Sequence, residues 1–224
     1  AKGLEALGAH SVQTITNGYD DEPINGTSIT LSERFTISHI GALGASRNAI
    51  HFWEALGELA KSDLQFRNDL SIRLIGQVDI SATETIKING LMDNTELIPY
   101  IPHEEISRMQ MESQVLLLLI NNTPNAKGIL TGKLFEYLSS GRPILCIGPE
   151  DGDAAHIIGE TKAGATVGFE DKGKMKIIIK ELYSKYKTRT LTGCSKEGTE
   201  KYSRKSLTGK FVEIMNFLYD ERLR

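Results

Sequence analysis

Two cysteines in 224 residues, Cys146 and Cys194, are too few to staple a fold, and they do not stand at a spacing that holds zinc. Both read as free thiols, which suits a reducing cytosol rather than a disulfide-bonded secreted domain. No apolar run approaches the roughly 18 residues that span a bilayer, the longest being Val115 to Ile120. No signal-peptide pattern and no initiator methionine open the chain, so AKGLEALGAHSV reads as if cut from a longer protein. Charge of one sign is also lacking. With 26 Lys and Arg against 29 Asp and Glu the formal charge is −3, without the basic footprint that holds a nucleic-acid backbone. No aspartate pair has metal-ligand spacing, and no repeat or low-complexity tract occurs. What remains, 40% hydrophobic and 25% charged residues, is the composition of an ordinary globular core with a solvated surface.

The apolar segments alternate between two periods. Alternation at Ser11 to Thr16 ends in Asn17-Gly18 and predicts a strand and turn. Glu22 to Ser32 is polar and predicts a loop. Further strands are predicted at Arg34 to Leu43, Leu70 to Gly76, Glu96 to Ile101, Val115 to Ile120, Pro143 to Ile147 and Gly164 to Phe169, six or seven in all. Between them lie helices, one with Ala49, Trp53, Leu56 and Ala60 on a shared face and Ser46 as its cap. Another begins at His103, Glu104 and Glu105, with the acidic first turn that the helix dipole favours. Met175, Ile178, Ile179, Leu182 and Tyr186 line a third, and Leu207, Phe211, Ile214 and Leu218 line the last. Strands alternating with helices imply an α/β fold with a doubly wound, mostly parallel, Rossmann-like sheet. The chain reads as one domain over 1–224, with the core at about 11–205 and a C-terminal helix over 206–224.

Gly128 to Glu160 is the stretch richest in chemistry. Thr131 can cap a helix that carries Lys133, Glu136 and Tyr137 and stops at Gly141, where a left-handed residue is needed. In open α/β sheets ligands bind at the carboxyl edge. The predicted strands bring to that edge the turn Gly41 to Arg47 with Gly44, the Ile101-Pro102-His103 corner, the Asn121 to Thr123 loop, and the helix start Thr131, Gly132 and Lys133. Free N–H groups at helix N-termini favour an anion, and Arg47 and Lys133 add cations, so a diphosphate would suit the edge. Plain readings stand beside these. GALGAS lacks the three-glycine dinucleotide fingerprint and fits a simple tight turn. Arg47 and Lys133 fit solvated surface cations, Glu136 an outward helix residue, and His103 a first-turn surface residue.

Asn17-Gly18-Tyr19-Asp20, the turn through Gly41 and Arg47-Asn48, the Ile101-Pro102 corner and above all K-L-F-E-Y-L-x-x-G-R-P-I-L, beginning at Lys133, resemble the C-terminal donor-binding domain of GT-B glycosyltransferases of the family 4 type (glycosyl transferases group 1). The resemblance covers most of the chain. It implies the C-terminal half of a GT-B fold that binds a nucleotide-diphosphate sugar, with neither metal nor further cofactor. The acceptor, a glycan or a lipid-linked sugar, would be held by a separate N-terminal domain. The isolated chain is then expected to transfer nothing, and a lipid-linked acceptor would bring the cytoplasmic enzyme to the inner face of a membrane. Glu136 matches the glutamate that bonds the ribose hydroxyls, Lys133 and Arg47 the cations beside the diphosphate, and the backbone at Ile101 the segment that holds the base. Asn17-Gly18 matches the point where the chain enters from the interdomain linker, and Leu207 to Leu218 the final helix that reaches back to the other domain. Two positions depart: Gly128 stands where many members carry a glutamate that positions the sugar, and Ala42 where Gly-Arg is common. A sugar-nucleotide epimerase on the same fold, and a non-catalytic nucleotide- or partner-binding module, are the alternatives.

Overall fold

The computed structural model describes residues 2–10, 12–20 and 29–222. Six strands form one parallel sheet: β1 (Phe35–Ile40), β2 (Leu70–Ile75), β3 (Thr95–Ile98), β4 (Val115–Leu119), β5 (Ile144–Ile147) and β6 (Gly164–Val167), in the order β3-β2-β1-β4-β5-β6. The helices are α1 (Lys2–Ala6), α2 (Ile50–Ser62), α3 (Leu64–Asp69), α4 (Ile80–Ile88), α5 (His103–Glu112), α6 (Gly132–Ser140), α7 (Asp153–Glu160), α8 (Lys172–Lys187), α9 (Lys196–Thr199) and α10 (Arg204–Arg222). The core falls into two layers. On one face Trp53 and Leu56 of α2, Ile86 of α4 and Met175 and Ile179 of α8 pack against Phe35, Ile37, Ile72 and Leu117. On the other, Leu134, Tyr137 and Leu138 of α6 and Ile157 and Ile158 of α7 pack against Ile40, Leu116 and Leu118, with Ile106 and Met109 of α5 alongside. Burial on both faces is why β4 reads as a continuous apolar run; β1 is buried as completely although Thr36, Ser38 and His39 are polar. This is the doubly wound α/β arrangement expected.

Local capping explains several boundaries. Asp63 accepts from the amides of Gln65 and Phe66 to start α3, and Asp79 accepts from Ser81 to start α4. Gly141 closes α6 at φ +67°, the left-handed conformation anticipated for it.

Three expectations are corrected. Residues 12–18 are irregular, because alternation makes a strand only where a ladder partner is available; Tyr19 alone forms a parallel bridge, to Ser203. Ser11 and residues 21–28 of the predicted loop lie outside the described residues. Ser46 does not cap α2, which starts at Ile50 behind Ala49; it sits in a 3-10 turn, Ala45–Arg47. The third strand ends at Ile98, because Pro99 has no amide to donate to a ladder, so Ile101 lies in the connection to α5. α10 is the helix expected at the end of the chain; along its shared face Leu207 is buried and Phe211 and Leu218 are exposed.

The sheet divides between β1 and β4. Chain order runs from β1 out to β3 on one side and from β4 out to β6 on the other, which makes this the topological switch point. Pairing there covers only Ile37 with Val115 and Ser38 with Leu116, while β1 pairs with β2 along all six residues. Beyond Ser38 side chains take over. The His39 ring donates through Nδ1 to the Leu117 carbonyl (3.0 Å), and the amide of Ile40 donates to the Tyr137 hydroxyl (3.1 Å). Tyr137 is fully buried, so Tyr137→Phe strands a buried amide. We expect a loss of about 1–3 kcal/mol in urea unfolding with an unchanged denaturant slope. A loss below about 0.5 kcal/mol would show that water satisfies the amide instead.

A candidate ligand crevice at the switch point

Gly41 follows β1 at φ +103°, where side chains are rarely accommodated. A Cβ there would lie 2.4 Å from Cε and 2.7 Å from Nζ of Lys133. The glycine is thus required twice, by its backbone and by the lysine laid across it. Gly76, at the end of β2, has φ +111° and packs against the Gly41 backbone in turn. The N-terminus of α6 and the turn after β1 are in this way pressed together above the switch point.

Arg47 clamps the loops after β1 and β4. Its Nε donates to Asn121 Oδ1 (2.7 Å) and Nη1 to the Ala42 carbonyl (2.9 Å), while Asn121 Nδ2 donates to Ser46 Oγ (3.0 Å). The predicted cation is therefore partly committed to protein partners and keeps donors to spare. Gly44 is exposed, with open space where a Cβ would stand.

Burial and, secondarily, the Arg47 charge draw the Lys133 ammonium down to about 8, against a smaller opposing pull from Glu136. Glu136 is half-buried and accepts at Oε2 from Gln110 Nε2 of α5 (3.4 Å). Thr131 precedes α6 in extended conformation, yet its hydroxyl makes no cap bond; Oγ1 is buried and without a partner among the described residues. The predicted cap is corrected: the hydroxyl is turned away from the amides it was expected to satisfy. Gly132 is exposed, and a Cβ on it would lie 3.7 Å from Asn17 Nδ2. Ile101 is half-buried against the α5–α7 layer. The side chain of His103 lies outside the described residues.

The structure therefore joins Gly41, Arg47 and Lys133 in one cluster, with Thr131 and Gly132 at the helix start beside it and Glu136 one turn along. Sequence reasoning missed three participants. His39 was signalled only as a polar residue inside an apolar strand, Asn17 was read as a turn residue, and Gln110 carried no signal at all. A cavity of about 120 Å³ opens on the α2 side of the crevice, sharing Ser46 and Arg47 with it and lined further by Asn48, His51, Asn122, Phe169 and Glu170. It is too small for a nucleotide, since ligand pockets run to about 300–1,000 Å³. Among the described residues no cluster of three His, Cys, Asp or Glu side chains could hold a metal ion, and no helix is long and apolar enough to cross a membrane.

His39 is 1% exposed, with Nδ1 committed to the Leu117 carbonyl and the Ala42 backbone near enough to favour the protonated ring a little. Burial first, then the Lys133 charge, push its pKa from 6.5 down to about 4. Within that window the unfolded chain binds a proton that the folded chain refuses, so stability falls as pH drops from 6.5 toward 4. Between pH 7 and pH 5 this group alone should remove about 2 kcal/mol. His39→Asn keeps a donor near Leu117 and cannot ionise, so urea unfolding at the two pH values should show that much less acid sensitivity. Equal pH slopes in both proteins would place the effect elsewhere.

No protein-family model matches the chain, and no curated protein matches it in sequence. Solved structures do match in fold. HepE from Anabaena, crystallised with UDP-glucose, superposes with a TM-score of 0.68 at 12% identity over 96% of this chain and 60% of its own. Sucrose-phosphate synthase from Thermosynechococcus elongatus gives 0.67 at 13% identity, over 99% and 57%. WaaG, a glycosyltransferase involved in lipopolysaccharide biosynthesis, gives 0.57 at 16% identity, over 78% and 43%. The chain spans about half the length of these proteins. Its structural neighbours are GT-B glycosyltransferases, and its six-stranded parallel sheet with flanking helices is of their fold.

Proposed function

We propose that the chain is the donor-binding half of a glycosyltransferase of the family 4 type, holding a nucleotide-diphosphate sugar in the crevice above β1 and β4. The observation that carries this reading is Lys133 laid across the Gly41 backbone at the switch point, with Glu136 on the same helix. The diphosphate would lie on the N-terminus of α6, with Lys133 and the spare donors of Arg47 against its oxygens. Glu136 would accept from the ribose hydroxyls and the Ile101 backbone would meet the base. Catalysis would then rest on positioning and on stabilising the charge of the departing diphosphate, with no metal required of this half. The acceptor, a glycan or lipid-linked sugar, would be brought by an N-terminal domain lying against the crevice. The exposed Phe211, Met215 and Leu218 on α10 offer that domain an apolar face.

A thermal-shift panel of UDP, GDP, dTDP and ADP with their sugars tests the reading. A ligand at 100 times its dissociation constant should add about 2.7 kcal/mol of stability, while the isolated chain should transfer no sugar to a simple acceptor. Indifference to every nucleotide would sink the donor reading, and turnover by the isolated chain would sink the division of labour.

Lys133 supplies a sharper test. An anion beside it must raise its pKa, so binding carries proton uptake above about 8. Diphosphate affinity should hold steady below that pH and then weaken, approaching about tenfold per pH unit, as one proton per ligand is taken up. Calorimetry in buffers of different ionisation enthalpy reads the proton directly. Lys133→Ala should abolish the uptake and cost about 1.5–3 kcal/mol of diphosphate affinity while sparing the nucleoside. Uptake that survives in Lys133→Ala would assign the proton to another group.

A further inference from the structure

We infer that Gln110 is a positioning residue for nucleotide recognition: its amide holds one carboxylate oxygen of Glu136 so that the other faces the ligand. The inference rests on the reading of Glu136 as the ribose residue. Gln110 stands on α5, the helix that follows the Ile101-Pro102 corner, and Glu136 on α6, so their contact bridges the two elements between which a nucleoside would lie. Gln110 is 4% exposed, and the bond from Nε2 to Glu136 Oε2 at 3.4 Å is the only hydrogen bond its side chain makes among the described residues. A buried amide needs a partner, and the Glu136 carboxylate is the one this amide has.

The chemistry of the pair is asymmetric. A carboxylate offers about four lone-pair sites. Gln110 takes one of them on Oε2, and Lys133, one turn earlier on α6, contributes only its field. Oε1 is left with no hydrogen bond among the described residues, on a side chain that is half-buried and so still open to a ligand. Two vicinal hydroxyls need two acceptor sites held at fixed spacing. A free glutamate on a helix surface samples several rotamers, each of which must be given up on binding. The long amide bond is weak in itself, and it biases the rotamer without closing the carboxylate to a ligand. The same contact makes recognition of the sugar depend on where α5 lies, and hence on the segment at Ile101.

The test uses UDP and GDP, each with its 2′,3′-dideoxy counterpart, following whichever binds more tightly. Wild-type protein should prefer the ribonucleotide. Gln110→Met fills the same space without a donor and should weaken the ribonucleotide about five- to tenfold while changing the dideoxy compound less than about twofold. The double variant with Glu136→Ala should bind no worse than Glu136→Ala alone, because the amide acts only through that carboxylate. Should Gln110→Met fail to fold, Gln110→Asn, one methylene too short to reach, should show the same selective loss. Equal losses for both ligands would make Gln110 a packing residue and overturn the proposal. If the wild type does not distinguish ribose from dideoxyribose, the reading of Glu136 itself is wrong and this one falls with it. If neither diphosphate binds, the whole donor reading fails.

Discussion

A parallel sheet that changes winding direction leaves two neighbouring strands whose connections lead away from each other, and their unpaired carboxyl ends must still satisfy every backbone group. In this chain the cost falls on the last two residues of β1. The His39 ring and the Tyr137 hydroxyl stand in for the missing ladder bonds. Both are buried: the His39 ring belongs to β1 and meets β4 directly, whereas the Tyr137 hydroxyl is delivered by α6. The crevice is therefore open by construction, and α6 is what keeps the Ile40 amide paired.

Docking α6 fixes more than the ladder. Tyr137 and Lys133 are four residues apart and so share a helix face. With Tyr137 anchored to Ile40, Lys133 is carried to Gly41, the residue that follows β1. Burial there makes the ammonium less costly to neutralise and more responsive to an anion, which its depressed pKa expresses. Arg47, by contrast, is held by Asn121 and Ala42 and ties the two loops that frame the crevice. One cation is poised and the other is a brace that retains spare donors.

The chain ends are stitched together on the α6 side of the sheet. Tyr19 donates to the Tyr202 carbonyl and Arg204 donates back to Tyr19, with an Arg204–Asp20 ion pair beside them. A Cβ on Gly18 would approach the Tyr202 carbonyl to 2.4 Å, so that crossing admits only glycine. Asn17, brought by this stitch, reaches the start of α6. The site is thus supported from below by the ladder substitutes and from the side by the joined termini.

The sequence by itself determined the fold class, the positions of most strands and helices, the stop of α6 at Gly141 and the gathering of Gly41, Arg47 and Lys133 at one edge of the sheet. These follow from periodicity, from glycines at left-handed positions and from the rule that connections after parallel strands gather at one edge. It placed strands one to three residues too long where Gly76, Pro99 and Gly168 end the ladder, because apolar character continues past the point where pairing stops. It also proposed a strand at Ser11 to Thr16, of which residues 12–16 join no ladder among the described residues. Only the tertiary structure decided that His39 would be a neutral ladder substitute, that Arg47 would brace loops, that Thr131 would leave the helix start uncapped by its hydroxyl, and that Gln110 would meet Glu136. Each of these depends on which element lies across from which. Hydrogen-bond partners 26 to 97 residues apart, as in Gln110–Glu136 and Ile40–Tyr137, leave no periodic trace in a single chain.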